Sequence, residues 1–457
     1  MSMQGIEFKK KVITYRKNIT MTLESILKKH NSYEENAKQA DYLFRSYVGG
    51  EQYRKGEYLT QYIGENEIPN AYQNRLAATP LDNHVATVID IYRSFIFKNE
   101  PLRELGSLEN NPLVVQWLND TDQEGQSMTS FIKTANDLAM VLGNVWILVD
   151  RPSYKVNTQA EEEALGIRGY ACTYTPQNVL NWEYTRSING KMSLSHIAVV
   201  ESESKDRMSV THWYKDTVIK RVITKTDTGE ADSIVGEEVY DNPLGYIPMI
   251  NHSPLKSRIK GIGISVVADI ADSQRYIYNL LSELEQSIRI SSHPTLVKTT
   301  HTQANSGAGA IINLDEQSEP GLNPYLLQPT AAGIDGIIST IEVTVDAISR
   351  MSHTASVTSS KASPTSGISL QVERELLFAK LKDIADTVQE TEIKMWNIWF
   401  DWQNIDKPAD FSITYNNKFD MRDMSNDLMH YKAALELNDD PVFKAMIVEK
   451  IAKLFED

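Results

Sequence analysis

One cysteine, Cys172, stands among 457 residues. It leaves no partner for an intramolecular disulfide, rules out a Cys-based metal site, and points to a reducing compartment. Long apolar runs are missing too. The longest, MVLGNVWILV at residues 140–149, is far shorter than the roughly 20 residues a membrane-spanning helix needs. The start, MSMQGIEFKK, has no apolar core of a secretory signal. A soluble chain without a membrane segment is expected. Positive charge is scarce as well: 46 Lys and Arg face 61 Asp and Glu, a formal net charge of −15. Sequence-reading contact with nucleic acid needs clustered Lys and Arg to release counterions, so that class is disfavoured. An acidic passage would still let DNA through without gripping it.

The motifs of several enzyme classes are also absent. No GxxxxGK[ST] stretch occurs, so the chain is not a P-loop motor. The nine histidines include no HExxH and no pair at ligand spacing, and no GxSxG elbow is present. Carboxylates are plentiful, but no pair stands apart as a catalytic dyad. Neither a catalytic residue nor a metal or cofactor is expected. Gly261-Ile262-Gly263 precedes a helical pattern, yet a dinucleotide fingerprint would place a third glycine where Val266 stands. It reads as a turn.

What is present is an ordinary folded composition, 41% hydrophobic and 23% charged, sufficient for one to three domains. The first hundred residues read as helical. Residues 81–97 place Val85, Val88, Ile89, Tyr92, Phe95 and Ile96 on one face and stop before Pro101. A helix over 128–142 leads into the short strand WILVD, and an acidic excursion over 154–169 reads as a solvated loop or surface helix. From 170 to 250 the pattern turns to strands, in ACTYT, LSHIAVV, SVTHWY and VIKRVITKT. This is an α+β body of antiparallel strands and flanking helices.

Beyond it, Ser265 is placed to cap a helix running to about residue 290. HPTLVK, NSGAGA, IINL and NPYLLQP then read as a small module of short strands and turns. A second helix starts near 334, with Ile337, Ile338, Ile341, Val345 and Ile348 on its apolar side and Asp335, Glu342 and Asp346 away from it. Next comes SHTASVTSSKASPTSG at 352–367, in which nine of sixteen residues are Ser or Thr; so little apolar content predicts a soft loop. Lys361 is its only Lys or Arg. The longest helix follows over 368–402, with Leu377, Leu381, Ile384, Val388, Met395, Trp399 and Trp402 at helical spacing; its tryptophans read as core rather than a base-stacking platform. FSITYNN reads as a strand, and the tail over 425–455 as two short helices broken at 438–441.

The order of these parts resembles the portal protein of tailed double-stranded-DNA bacteriophages. Several stretches resemble portal sequence as well: YVGGEQYRKGEYL (47–59), NRLAATPLDNHVATVIDIYRSFIFKNEP (74–101), NPLGYIPMINH (242–252), GIGISVVADIADSQRYIYNLLSELEQSI (261–288) and SGISLQVERELLFAKLKDIA (366–385). The resemblance runs from roughly residue 40 onward; its motifs are structural, and the short C-terminus departs from the pattern. It implies a wing over 1–260, a first stem helix over 261–292, a clip over 293–330 and a second stem helix over 331–353. A tunnel loop over 354–367, a long wing helix with a returning strand over 368–424, and a small crown over 425–457 complete it.

The family function would be a homo-oligomeric ring of twelve at the capsid vertex of the virion, made in the host cytoplasm and passing double-stranded DNA non-specifically during packaging and ejection. Its implied partners are the large terminase subunit, the head–tail adaptor and the major capsid protein, with no membrane. Ser356, Thr358, Ser359, Ser360, Lys361 and Ser363 would face the DNA from the loop, and Asp335, Glu342 and Asp346 would line the channel. Two other readings stand beside it: a non-enzymatic helical scaffold or adaptor whose polar loop is a linker, and an α/β enzyme built around the glycine turn.

Overall fold

The computed structural model describes residues 22–62, 69–152, 166–292, 295–298, 325–327, 331–358, 367–416, 419, 431–433, 435 and 441–454. Helix takes 49% and strand 22%, so the α+β expectation holds at that level. The chain divides into two compact units, Met1–Asn416 and Asn417–Asp457.

The larger unit opens with helices α1 (Leu23–Ile26), α2 (Tyr33–Val48), α3 (Gly50–Arg54), α4 (Pro69–Ala78) and α5 (His84–Ile96). α5 begins at 84 rather than 81 because Asn83 is its cap: the Asn83 side chain accepts the Ala86 N–H at 3.0 Å. Val85, Val88, Ile89, Tyr92 and Ile96 are buried along it, as their spacing requires. Strand β1 (Leu102–Glu104) and α6 (Pro112–Asn119) lead to α7 (Met128–Leu142), capped by Ser127.

Two sheets carry the β region. In the first, β2 (Val145–Asp150) is flanked by β3 (Tyr170–Tyr174) and β9 (Met249–His252), antiparallel on both sides. The second is an antiparallel meander of β4 (Val179–Arg186), β5 (Met192–Glu203), β6 (Arg207–Tyr214), β7 (Thr217–Lys225) and β8 (Ala231–Asp241), paired in chain order. One apolar cluster joins Val179, Trp182, Ile197, Val199 and Trp213 to Trp146 and Leu148 of β2. Another packs Ile26 of α1 against Leu180, Ala198, Val200, Val210 and Ile223.

The glycine turn is a packed corner. A Cβ on Gly263 would lie 2.0 Å from the Gly143 carbonyl oxygen and 2.1 Å from Ser253 Oγ. A Cβ on Gly261, whose φ is +88°, would lie 2.3 Å from Trp182 Nε1. The Gly261 carbonyl accepts from the amides of Asn144 and Asn251, and the Gly263 N–H donates to Asn144 Oδ1. These glycines permit close approach of protein to protein, which accounts for the motif without a phosphate.

Helix α8 (Ala268–Ser292) follows, starting three residues past Ser265, whose hydroxyl accepts the Val267 N–H at 3.1 Å. β10 (Thr295–Val297) and β11 (Tyr325–Leu327) pair antiparallel between α8 and α9 (Ala331–Met351). Residues 311–314, read as a further strand, lie outside the described residues. A short helix α10 (Ala355–Thr358) comes next, then α11 (Gly367–Gln403) and β12 (Ser412–Thr414), which pairs with β1. Leu377, Leu381, Ile384, Val388, Met395, Trp396 and Trp399 of α11 are all buried. Trp117 stacks on Trp399 at 5.9 Å and meets Trp396 edge-on, and the Trp402 indole N–H donates to the Val149 carbonyl. The tryptophans are core, as their spacing implied.

One buried ion pair fastens the β1–β12 ribbon to α11. Glu392, 0% exposed, receives Arg103 through both carboxylate oxygens at 2.6 and 3.2 Å, and also accepts from the Tyr415 hydroxyl and the Trp396 indole. The smaller unit contains α12 (Pro441–Leu454), with proline at its first position and Ile447 buried. The earlier of the two tail helices falls largely outside the described residues.

Candidate functional site

Helices α8 and α9 pack on one another and are joined through the β10–β11 ribbon. Past Ser282 no described residue of either helix is buried until Ile348. The pair is therefore an arm whose far half lacks a core of its own, held to the body at its base.

That base is built from polar contacts. Gln274, 0% exposed on α8, accepts the Val85 N–H at 2.9 Å and donates to the Ser46 carbonyl at 3.0 Å. It thus satisfies one backbone group at the start of α5 and another near the end of α2. One turn on, Asn279 accepts the Thr60 N–H at 2.7 Å and donates to the Tyr58 carbonyl at 3.1 Å. The Tyr62 hydroxyl donates to Glu283, Arg75 donates to Ser282, and the Tyr42 hydroxyl donates to Asp272. Tyr278 is buried with Tyr53, Leu59 and Tyr72.

The other end of the arm returns to the same helix. The Tyr92 hydroxyl of α5 donates to the Ser352 carbonyl at 2.6 Å, just past α9. There the chain closes α9 with His353 at φ +58° and the Thr354 N–H bonded back to the Ser349 carbonyl, an arrangement usually given to glycine. The Ser352 and Thr354 hydroxyls are 2.7 Å apart, and both residues are buried. The expected soft loop is therefore corrected at its start. Residues 352–354 are a fixed helix end and 355–358 are helical, because these hydroxyls have local backbone and side-chain partners that composition does not reveal.

The predicted site residues divide accordingly. Asp335, Glu342 and Asp346 lie exposed on one side of α9. The apolar side of that helix is mixed: Ile348 is buried, Ile337, Ile341 and Val345 are half-buried, and Ile338 is 43% exposed. Ser356 and Thr358 belong to α10, beside Val357, which lines a shallow depression with Thr87, Asp90, Ile91, Ser94 and Phe95 of α5. Ser359, Ser360, Lys361 and Ser363 lie outside the described residues. Within α11, Lys380 lies over the Tyr92 ring at 5.1 Å, and burial lowers its pKa. The anchors Gln274, Asn279 and Tyr92 were missed by sequence reasoning; the first two sit on the polar positions of an amphipathic pattern, which read as solvent-facing.

Away from the arm, two sets of histidines are packed against polar neighbours. The β5–β6 register brings Nε2 of His196 to 3.0 Å from Nδ1 of His212, with the rings nearly coplanar. Burial first, then His196 and Arg221, pushes His212 down to about 4, and burial lowers His196. Two neutral imidazoles therefore share one N–H···N bond. His252 is fully enclosed between Thr391 Oγ1 at 2.9 Å and Asn136 Oδ1 at 3.2 Å, and burial pushes it to about 4. Among the described residues, no three His, Cys, Asp or Glu side chains are grouped to hold a metal ion, and no helix is long and apolar enough to cross a membrane.

Comparison with models of known protein families and with curated proteins finds no match for this chain.

Proposed function

We propose that the protein is a portal: a ring of copies at the vertex of a tailed-phage capsid, through which double-stranded DNA enters during packaging and leaves at ejection. The observation that carries the reading is the α8–α9 arm. Two antiparallel helices, joined by a two-stranded ribbon and anchored at both ends to α5, come between an α+β body and the long helix α11. That is the order stem, clip, stem and long wing helix. Exposed apolar side chains on the arm, Tyr276, Ile288, Ile338 and Val343, support it further, since a neighbouring copy would cover them.

In this reading α8 and α9 are the stem and β10–β11 belongs to the clip, where a separate packaging ATPase, the large terminase subunit, and later the head–tail adaptor dock. The wing meets the major capsid protein. Asp335, Glu342 and Asp346 face the channel, and residues 354–367 form its constriction. Twelve chains of −15 each carry 12 × (−15) = −180 charges, a field that repels phosphate and keeps DNA moving. Small hydroxyls at the constriction touch the backbone weakly and without sequence choice.

Negative-stain electron microscopy of the purified, concentrated protein tests this. Rings with a central hole are expected. Monomers or dimers alone, in the presence of capsid and scaffolding proteins as well as without them, would overturn it in favour of a helical scaffold or adaptor.

A further inference from the structure

The chain is strongly acidic as a whole, yet between Asp241 and Asp269 it holds no Asp or Glu and three cations, Lys256, Arg258 and Lys260. All three are exposed, on a turn tied down by hydrogen bonds. Lys256 and Gly263 form an antiparallel backbone bridge, and the Ile264 N–H donates to the Leu255 carbonyl at 2.8 Å. Ser257 Oγ accepts the Ile259 N–H at 3.1 Å, and the Trp182 indole donates to the Lys260 carbonyl at 2.8 Å. Among the described residues, neither Lys256 nor Arg258 meets a carboxylate. Beside them, Ile259 and Ile264 are 48% and 50% exposed.

Helix α11 carries the complementary pattern. Val372, Leu376, Ala379, Asp383, Asp386 and Glu390 follow one another at alternating steps of four and three, so they share one stripe of the helix. All six are exposed, Val372 and Leu376 at 51% and 50%. The stripe is thus apolar at one end and acidic at the other, and runs about 21 Å from Leu376 to Glu390. Glu390 has a cation in Lys394 at 3.4 Å, a pair open to water on both sides. Asp383 and Asp386 have none among the described residues.

We infer that the turn over 256–264 of one copy docks on this stripe of a second copy, an assignment that rests on the ring proposed above. Charge is the first argument. The three cations of the turn face the three carboxylates of the stripe, and opposite potentials across an interface select the partner and its register. Apolar surface is the second. Ile259 and Ile264 would meet Val372 and Leu376, giving the contact an apolar centre beside its charges. A phosphate backbone offers those isoleucines nothing, which favours a protein face over nucleic acid. Preorganisation is the third, because a turn already held by its own hydrogen bonds loses little freedom on docking. Every copy carries both patches and they are different surfaces, so the contact is head to tail and repeats from copy to copy.

Charge reversal in the full-length protein, read by sedimentation velocity and negative-stain microscopy, tests the contact. K256E/R258E and D383K/D386K are each expected to raise the concentration of half-assembly at least about tenfold. The four-fold variant, with the charges exchanged, should return to within about threefold of the unmodified chain. All four positions are exposed, so an unchanged Tm reports an intact fold. Rings that form as readily in both reversed variants would overturn the contact and leave the ring itself standing; an unmodified chain that never associates would overturn both. Ile259→Cys combined with Asp386→Cys reads the connectivity. Oxidation should give a ladder of multimers, whereas a disulfide confined to one chain would overturn the assignment. Weaker retention of double-stranded DNA by K256E/R258E, with assembly unchanged, would give the turn to phosphate and overturn it as well.

Discussion

Removing the Glu392 carboxylate isolates the energetic role of the buried pair. In E392A, Arg103, whose side chain is only 13% exposed, loses both charge-assisted hydrogen bonds and keeps its bond to the Thr129 hydroxyl of α7 at 3.0 Å. Tyr415 and the Trp396 indole lose their acceptor in the same step. Breaking a buried pair from one side strands the other charge and costs about 3–5 kcal/mol. Replacing both partners removes the stranded charge, so R103M/E392M should recover most of that loss and lie within about 1–2 kcal/mol of the unmodified protein. Denaturant unfolding followed by tryptophan fluorescence suits the assay, because Trp117, Trp396 and Trp399 sit beside the pair. A double variant as unstable as E392A would refute the reasoning: the loss would then come from packing or hydrogen bonding, and not from an uncompensated guanidinium.

Three further outcomes are expected. His252 has a folded pKa of about 4 against about 6.5 unfolded; only the unfolded chain takes up that proton between these values, so stability is full above pH 6.5 and falls as pH drops towards 4. The loss is on the order of 3 kcal/mol, and H252N should flatten that limb of a stability-against-pH curve; an unchanged limb would assign it to other groups. Replacing Asp335, Glu342 and Asp346 with Lys should slow or stall DNA passage in a packaging assay, and indifference would remove the acidic-lumen assignment while leaving the ring intact. Deleting residues 356–363 should leave ring assembly unchanged but impair packaging or retention of DNA, and unaltered packaging would remove the proposed role of the constriction.

Where apolar spacing was long and uninterrupted, the sequence was a good guide. Helix α7 occupies the expected residues, and the buried face of α11 is the one its leucines and tryptophans mark out. Two strands of the meander were not singled out. β4 buries Val179, Leu180, Asn181 and Trp182 in succession, so it has no alternation to detect. β8 is exposed on both faces, so it has no apolar stripe. On the arm, the three carboxylates were placed on one side of α9 correctly, since that needs only helical periodicity. Gln274 was not legible because a buried glutamine requires two backbone partners, and Ser46 and Val85 are distant in sequence. The same applies to Ser352, whose carbonyl is held by Tyr92, 260 residues earlier.

The way the arm is fastened bears on what it does. Apolar contacts tolerate sliding, whereas Gln274 and Asn279 each hold two backbone groups at fixed directions, and Tyr92 fixes the return of the chain. Such a joint sets the angle of the arm to the body even though, among the described residues, the far half of the arm has none that is buried. A lone chain gains little from orienting an exposed helical pair that leaves Ile338 and Val343 in water. A closed ring needs that angle to be the same in every copy, because a heterologous interface closes only if each rotation repeats. If the chain is the ring proposed above, the polar joint is the part of the fold whose loss should disturb assembly more than stability of the body, and Q274A puts that distinction within reach of negative-stain microscopy.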